Sequence, residues 1–298
     1  MIDYFLLDVF TDRAFAGNPL AVFPEARGLD TGMMQAIANE LNLSETVFVG
    51  EATGQHRYPI RIFTPTRELP FAGHPVIGTA HLLVERGMAE RGCPLVLEAG
   101  VGPLVVEFDQ ALARLTTAEP VSILASTLTQ ATAAELLGLE AHQVLSEPVL
   151  ASCGLPYHLI ELASYEALER AQPAPGAWAD WVSPSGQDQI YLHFACEAID
   201  ATQVVRARMF STPGGVREDP ATGSAAAALA GHLAQTKGVG RWRWQIEQGI
   251  EMGRPSRIHA EAERTEDDLS IRIAGAAVIV GGGTLHLPGG LAVSREAP

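Results

Sequence analysis

Basic residues are scarce in this 298-residue chain, where 20 lysines and arginines stand against 35 aspartates and glutamates, a formal charge of −15. No nucleic-acid or anionic membrane partner is expected, since both require clustered positive charge. Cysteine is also scarce. Cys93, Cys153 and Cys196 form no CxxC and are odd in number. A disulfide framework is not expected, and a reducing cytoplasm is the expected location. The start, MIDYFLLDVF, lacks the basic segment and cleavage site of a secretory signal. No apolar run reaches the ~18 residues of a membrane span. The longest candidate, around Ala221 to Ala234, is interrupted by Thr, Gly, Ser and His.

Familiar catalytic signatures are missing too. There is neither GxxxxGK[ST] nor a strand–GxGxxG–helix unit, which removes the usual nucleotide sites. The nine histidines are scattered, and with no HExxH or Cys/His cluster no metal is expected. His74 and His81 share a helix face without an acidic ligand between them. No GxSxG occurs, and the cysteines read as small buried apolar groups. No cofactor is expected.

What the chain does carry is a repeat of domain size. Arg61-Ile62-Phe63-Thr64-Pro65 leads through Arg67-Glu68 and Pro70 to Ala72-Gly73-His74 and an apolar run. Arg208-Met209-Phe210-Ser211-Thr212-Pro213 leads through Arg217-Glu218 and Pro220 to Thr222-Gly223-Ser224 and another. A second echo follows each, Leu97-Glu98-Ala99-Gly100 and Ile246-Glu247-Gln248-Gly249. The length and the 47% hydrophobic content suit two domains, each with its own core. The expected division is 1–118 and 119–276, with a C-terminal strand at about 277–298 able to join the first.

Strands are expected over Ile2 to Phe10, Leu20 to Phe23, Thr46 to Val49, Tyr58 to Phe63, Leu95 to Leu97 and Leu104 to Phe108. Helices are expected over Met33 to Leu41, with Asp30 or Thr31 as cap, and over Pro75 to Arg86. In the second half, helices are expected near Gln130 to Leu137, Tyr165 to Ala171 and Ser224 to Thr236. Strands there are Tyr157 to Leu162, Ile190 to Phe194, Val204 to Phe210, Trp244 to Ile246, Leu269 to Ile273, Val278 to Val280 and Leu285 to Leu287. Gln172 to Gly186 reads as a surface loop. The helices that follow the two repeated corners, VIGTAHLL and SAAAALAGHLA, have almost no polar face and must be enclosed by protein. An ordinary α/β sandwich fits the alternation of elements. A curved sheet wrapped around one small-residue helix, twice, is the more economical solution.

Each corner places a glycine at a helix N-terminus, where free N–H groups and the helix dipole favour an anion. Two such corners across one cleft would suit a small carboxylate substrate. Taken singly, each could be only a helix start capped by Ser or Thr. Likewise Asp219 could cap its helix, His74 could be a satisfied buried histidine, and Glu45 could be a solvated carboxylate.

The segments DVFTDRAFAGNPLAVF, LNLSETVFV, RIFTPTRELPFAGHPVIGTA, EDPATGSAAAAL and QGIEMGRPSRI, in order from residue 8 to 258, resemble the PhzF-like family, named for its phenazine-biosynthesis isomerase. The resemblance implies the α+β diaminopimelate epimerase-like fold, with two pseudo-symmetric domains, each a curved, mainly antiparallel sheet around a central helix. It further implies that Glu45 of the SET motif carries the proton, that His74 and Asp219 complete the catalytic set, and that Ser44, Gly73, Gly223 and Ser224 contact the substrate carboxylate. In cysteine-dependent epimerases of the wider superfamily, each corner supplies a thiol just before the glycine. Here those positions are Ala72 and Thr222, which disfavours a two-thiol racemase.

The implied activity is a cofactor-independent isomerisation in which Glu45 takes a proton from one carbon of an unsaturated acid and returns it at another. Epimerisation or a lyase step on an amino or sugar acid is the first alternative. A non-catalytic small-molecule-binding protein of the same fold is the second. A homodimer is the default expectation for a soluble oligomer.

Overall fold

The computed structural model describes residues 1–200, 202–212 and 216–287. The chain divides into two compact units, Met1–Leu115 with the segment from Gly275, and Thr116–Ala274. The first contains β1 (Ile2–Val9), β2 (Asn18–Phe23), α1 (Thr31–Leu41), β3 (Glu45–Val49), β4 (Arg57–Phe63), β5 (Glu68–Leu69), α2 (Gly73–Glu85), β6 (Leu95–Ala99), β7 (Gly102–Asp109) and β8 (Leu112–Thr116). The second contains β9 (Ser122–Ala125), α3 (Gln130–Leu137), β10 (Val149–Ser152), β11 (Pro156–Glu161), α4 (Tyr165–Arg170), α5 (Pro175–Trp181), β12 (Gln189–Ala195), β13 (Thr202–Ser211), β14 (Arg217–Asp219), α6 (Gly223–Ala234), β15 (Gly240–Gln248), β16 (Ser256–Arg264) and β17 (Leu269–Gly275). A final strand, β18 (Ala277–Leu285), returns to the first unit.

The two units follow one strand order. In the first, β18, β1 and β2 are joined antiparallel, β2 runs parallel to β3, β3 is antiparallel to β4, β4 is parallel to β6, and β6, β7 and β8 are antiparallel. In the second, the same sequence of pairings runs through β9, β10, β11, β12, β13, β15, β16 and β17. The short strands β5 and β14 form matching hairpins on β4 and β13. The duplication seen in a few motifs therefore extends over whole units. It also explains β18, which takes the place in the first sheet that β9 takes in the second.

Both sheets are built around an apolar helix. Helix α2 packs on β1, β2, β3, β6 and β18, and its residues from Gly73 to Leu83 are all buried. Helix α6 packs on β10, β11, β15 and β16, with its alanines and both glycines buried. Sheet and helix approach closely where a side chain is missing. A Cβ added at Gly78 would lie 2.5 Å from Leu20 Cδ2 and 2.7 Å from Val9 Cγ2, and one at Gly231 would lie 2.5 Å from Val121 Cγ2. The expected wrapped-helix arrangement is thus the observed one, and its small residues stand at the points of contact.

Several elements differ from expectation. Gln172 to Gly186 is not a surface loop, because Pro175 starts α5 and Trp178 enters a core of Leu136, Leu137 and Leu168. Helix α2 begins at Gly73 rather than Pro75; a first-turn N–H has no intrahelical partner, so proline is tolerated inside that turn. Val278 to Val280 and Leu285 belong to one strand, β18, which ends at Leu285 and leaves His286 and Leu287 outside it; Gly282 and Gly283 pair with Phe5 and Tyr4, so the glycines give room to aromatic rings instead of breaking the strand. Cys153 is buried, but Cys93 and Cys196 are only half-buried. Pro213 of the second motif, and residues 288–298 of the expected terminal strand, lie outside the described residues.

Overpacking a close helix–sheet contact typically costs about 1–3 kcal/mol. Gly78→Ala and Gly231→Ala should each destabilise by that amount in urea unfolding. In α5, where a Cβ on Gly176 meets nothing within 4 Å, Gly176→Ala should instead stabilise by about 0.4–1 kcal/mol. Equal unfolding midpoints for the three variants would contradict the packing account.

Candidate active site

In the first unit, β2, β3 and α2 bring three polar side chains together. Glu45 opens β3, directly after the turn in which Asn42 adopts a left-handed conformation to end α1. His74 is the second residue of α2, and Asn18 is the first of β2. His74 Nε2 lies 3.3 Å from Glu45 Oε2, with side-chain exposures of 6% and 16%. That is an ion-pair distance, although the atoms are off the alignment of a hydrogen bond. On the other ring face, His74 Nδ1 lies 3.5 Å from Asn18 Nδ2.

The proton positions follow from burial. Desolvation lowers the His74 pKa to about 3, so the imidazole is neutral near pH 7. The Asn18 amide nitrogen can only donate, and with Nδ1 as its acceptor the ring proton is assigned to Nε2. That nitrogen is the one 3.3 Å from the Glu45 carboxylate. His74 thus stands beside the carboxylate without carrying a charge of its own.

The loop before Asn18 is held by another buried group. Asp8 accepts a 2.6 Å hydrogen bond from the Phe15 N–H, and Phe15 has φ of 66° and is 76% exposed. Gly17 has φ of 66°, and a Cβ there would lie 2.3 Å from the Val9 carbonyl oxygen. This position requires glycine to deliver Asn18 into β2. Ser44 is exposed at the mouth of the turn.

In the second unit, Asp219 ends β14 and does not cap α6. Its Oδ2 accepts from the Thr222 hydroxyl at 2.5 Å. Gln248 fixes both residues: its Nε2 donates to the Asp219 carbonyl at 2.7 Å and to Thr222 Oγ1 at 3.0 Å, while its Oε1 accepts from the Thr222 N–H at 3.2 Å and the Tyr191 hydroxyl at 3.1 Å. Ser224 shares a 2.6 Å hydroxyl–hydroxyl bond with the buried Tyr157. Burial, reinforced by Tyr157 and Asp219, raises the Tyr191 pKa, so this hydroxyl stays protonated.

The two helix starts share one property. Helices α1, α3 and α4 are capped by the side chains of Asp30, Thr129 and Ser164. The residues before α2 and α6, Ala72 and Thr222, make no such bond. Capping by the Ser or Thr at the corners is therefore not observed, and Gly73 and Gly223 start helices whose N-cap side chains make no bond to the first turn. An anion is the natural partner of such an end.

The structure groups Ser44, Glu45, Gly73 and His74 in the first unit, and Asp219, Gly223 and Ser224 in the second. Sequence reasoning missed Asn18, Tyr157 and Gln248. Asn18 stands between Gly17 and Pro19, neighbours that mark a turn, and Gln248 lay in the second echo, where its counterpart is Ala99. His81 is not part of the site, because its Nε2 lies 3.1 Å from the Gly275 carbonyl oxygen and its ring packs edge-on against Phe108.

A family model described as phenazine biosynthesis-like protein, PhzC–PhzF, matches residues 7–283. An uncharacterized isomerase of Mesorhizobium japonicum is 40% identical, with 96% of this chain and 99% of that protein covered. The trans-2,3-dihydro-3-hydroxyanthranilate isomerase of Pseudomonas chlororaphis is 36% identical over 96% of this chain and all of its own length, 100%. Among solved structures, a Bacillus anthracis phenazine biosynthesis protein of the PhzF family has a TM-score of 0.87 at 24% identity, with 96% and 99% of the two chains covered. A predicted epimerase of Pseudomonas aeruginosa has a TM-score of 0.78 at 29% identity, with coverage of 97% and 100%.

The lowered pKa of His74 gives a test by NMR. Its ring nitrogens should keep neutral-form shifts on acidification, with protonation only near about pH 3. The unfolded chain takes up that proton near the ordinary value of about 6.5. Between these limits the unfolded state binds more protons, so stability should rise with pH from about 3 to 6.5 and level off above. His193, also lowered to about 3 by burial and by His232, acts in the same direction. A His74 midpoint near 6.5 would overturn the proton assignment.

Proposed function

The chain belongs to the phenazine biosynthesis-like (PhzC–PhzF) family, and from that premise we propose that it is an isomerase whose Glu45 moves a proton between two carbons of a small unsaturated carboxylic acid. The observation that carries this reading is the Glu45–His74–Asn18 array. A carboxylate beside a neutral imidazole can take a proton from carbon and give it back, the single negative charge passing from carboxylate to substrate anion and back while the imidazole stays neutral. The relatives from Pseudomonas named for trans-2,3-dihydro-3-hydroxyanthranilate act on an acid of this kind.

In this mechanism Glu45 removes a proton from a carbon whose anion is delocalised into the neighbouring double bond. The resulting carboxylic acid then delivers the same proton at the far end of the conjugated system. His74 keeps the carboxylate aimed through both transfers. The first-turn N–H groups at Gly73 with the Ser44 hydroxyl in the first unit, and those at Gly223 with the Ser224 hydroxyl in the second, are each suited to a substrate carboxylate. Asp219, held by Thr222 and Gln248, orients the polar substituents of the substrate. General acid–base catalysis supplies typically ~10²–10⁴-fold, and positioning supplies the rest of the acceleration. A two-base racemisation is disfavoured, because Ala72 and Thr222 occupy the corner positions from which two thiols would act.

Glu45→Gln should lower turnover by about 10²–10⁴-fold while leaving carboxylate binding and thermal stability close to wild type. Turnover retained in this variant would remove Glu45 as the proton carrier. For Ser224→Ala the expected change lies mainly in ligand affinity, with about 1 kcal/mol lost from one hydrogen bond. Calorimetry with a small unsaturated acid measures it, and an unchanged affinity would exclude this hydroxyl from the carboxylate clamp.

A further inference from the structure

At the end of β4 away from Glu45, the first unit gathers three side chains for which the isomerase chemistry has no use. We propose that His56, Glu90 and Cys93 bind a zinc-type divalent cation, with one coordination position left to water or a small ligand. One ligand atom from each lies within 4.8 Å of the others. On a tetrahedral ion with bonds of about 2.0–2.3 Å, ligand atoms stand roughly 3.3–3.8 Å apart. Closure therefore asks for about 1 Å of side-chain movement. Thiolate, imidazole and carboxylate together select a borderline metal such as zinc or cobalt over magnesium or calcium.

The backbone presents these ligands in a fixed frame. Glu90 and Cys93 flank a turn closed by the Cys93 N–H to the Glu90 carbonyl at 3.1 Å. His56 stands just before β4, and its carbonyl accepts from the Val96 N–H at 2.9 Å, at the start of the parallel β4–β6 pairing. The Tyr58 hydroxyl donates to the Met88 carbonyl at 2.7 Å, fixing the Glu90 loop to the same strand.

The second observation is the state of His56. Both of its ring nitrogens are shielded from solvent, and neither has a hydrogen-bond partner among the described residues. A neutral imidazole carries one donor and one acceptor, and burial leaves both unsatisfied at a cost. A cation accepts the lone pair of one nitrogen and removes part of that cost. Binding converts the Cys93 thiol to a metal-bound thiolate and releases its proton to solvent, so affinity should rise with pH.

Titration of the reduced, chelator-treated full chain with Co²⁺ tests the site. One equivalent should bind and produce the near-ultraviolet thiolate-to-cobalt band, which Zn²⁺ then displaces. Cys93→Ser should abolish the band, whereas Cys153→Ser and Cys196→Ser should keep it. His56→Gln and Glu90→Gln should each weaken Zn²⁺ at least tenfold in a chromophoric-chelator competition. Zn²⁺ should raise the Tm of the wild type, because it binds only the folded chain, and should leave that of Cys93→Ser unchanged. Circular dichroism establishes folding of each variant, and a misfolded variant leaves the decision to the wild-type band and the other two ligand variants. Absence of the band in the folded wild type, or its persistence in Cys93→Ser, overturns the proposal.

Discussion

Enclosure of two helices that have no polar face governs the rest of this architecture. Buried on all sides from Gly73 to Leu83, α2 can be satisfied only by a sheet that curves around it, and α6 imposes the same demand. Curvature brings the strands close, so the helices carry glycine and alanine where strands press in, as at Gly78 against Leu20 and Gly231 against Val121. A buried helix is also one whose ends are seen only where the sheet opens. The first turns of α2 and α6 lack side-chain caps, as does the proline-started α5, while α1, α3 and α4 use Asp30, Thr129 and Ser164. The packing that stabilises each unit thus also leaves an anion-attracting helix start without a cap.

Arginine–glutamate pairs hold each corner in the same way. Arg61 grips Glu68 across the β4–β5 hairpin, and Arg208 grips Glu218 across β13–β14. The second pair is the more deeply buried, and Arg208 also donates to the carbonyls of Leu168, Glu169 and Ala171 at the end of α4. Behind each hairpin a glycine of the second echo touches the corner proline. A Cβ on Gly100 would lie 2.9 Å from Pro70 Cα, and one on Gly249 2.5 Å from the Pro220 carbonyl oxygen. The two echoes were visible in the sequence as letters. Their meaning is a contact: echo and corner are the two halves of one support.

What was legible in the sequence had a local chemical signal. Apolar runs gave the central helices, and the motifs gave Glu45, His74 and Asp219 as candidates. Partners that reach across long separations left no such mark. Asn18 looked like a turn residue because its neighbours are Gly17 and Pro19, and its side chain acts on His74, a contact that exists only when β2 lies beside α2. Gln248 differs from its repeat counterpart Ala99, and this divergence was the signal available for it. Trp178 shows the opposite failure. Its proline- and glycine-rich surroundings read as loop, yet one large apolar ring packed against Leu136 and Leu168 is enough to anchor a short helix. His56 and Cys93 were scattered letters until the β4–β6 pairing brought them together.

The strand register sharpens the difference between the two units. Phe63 and Phe210 occupy equivalent places in β4 and β13, and they pair with Thr46 and Ile190. The residue before each is Glu45 in the first unit and Gln189 in the second. Glu45 therefore lies within the duplicated topology rather than outside the repeat. The scaffold offers the same strand-start position twice and fills it once with a carboxylate and once with a neutral amide. The helix starts diverge in parallel: His74 faces Glu45, while Ser224 is engaged by Tyr157. Two equivalent carboxylates would provide a base for each face of a carbon, which is the requirement of a racemase. In the isomerisation proposed above, the one carboxylate, beside a neutral histidine and matched at the equivalent positions of the repeat by Gln189 and Ser224, would be a single proton carrier serving both carbons.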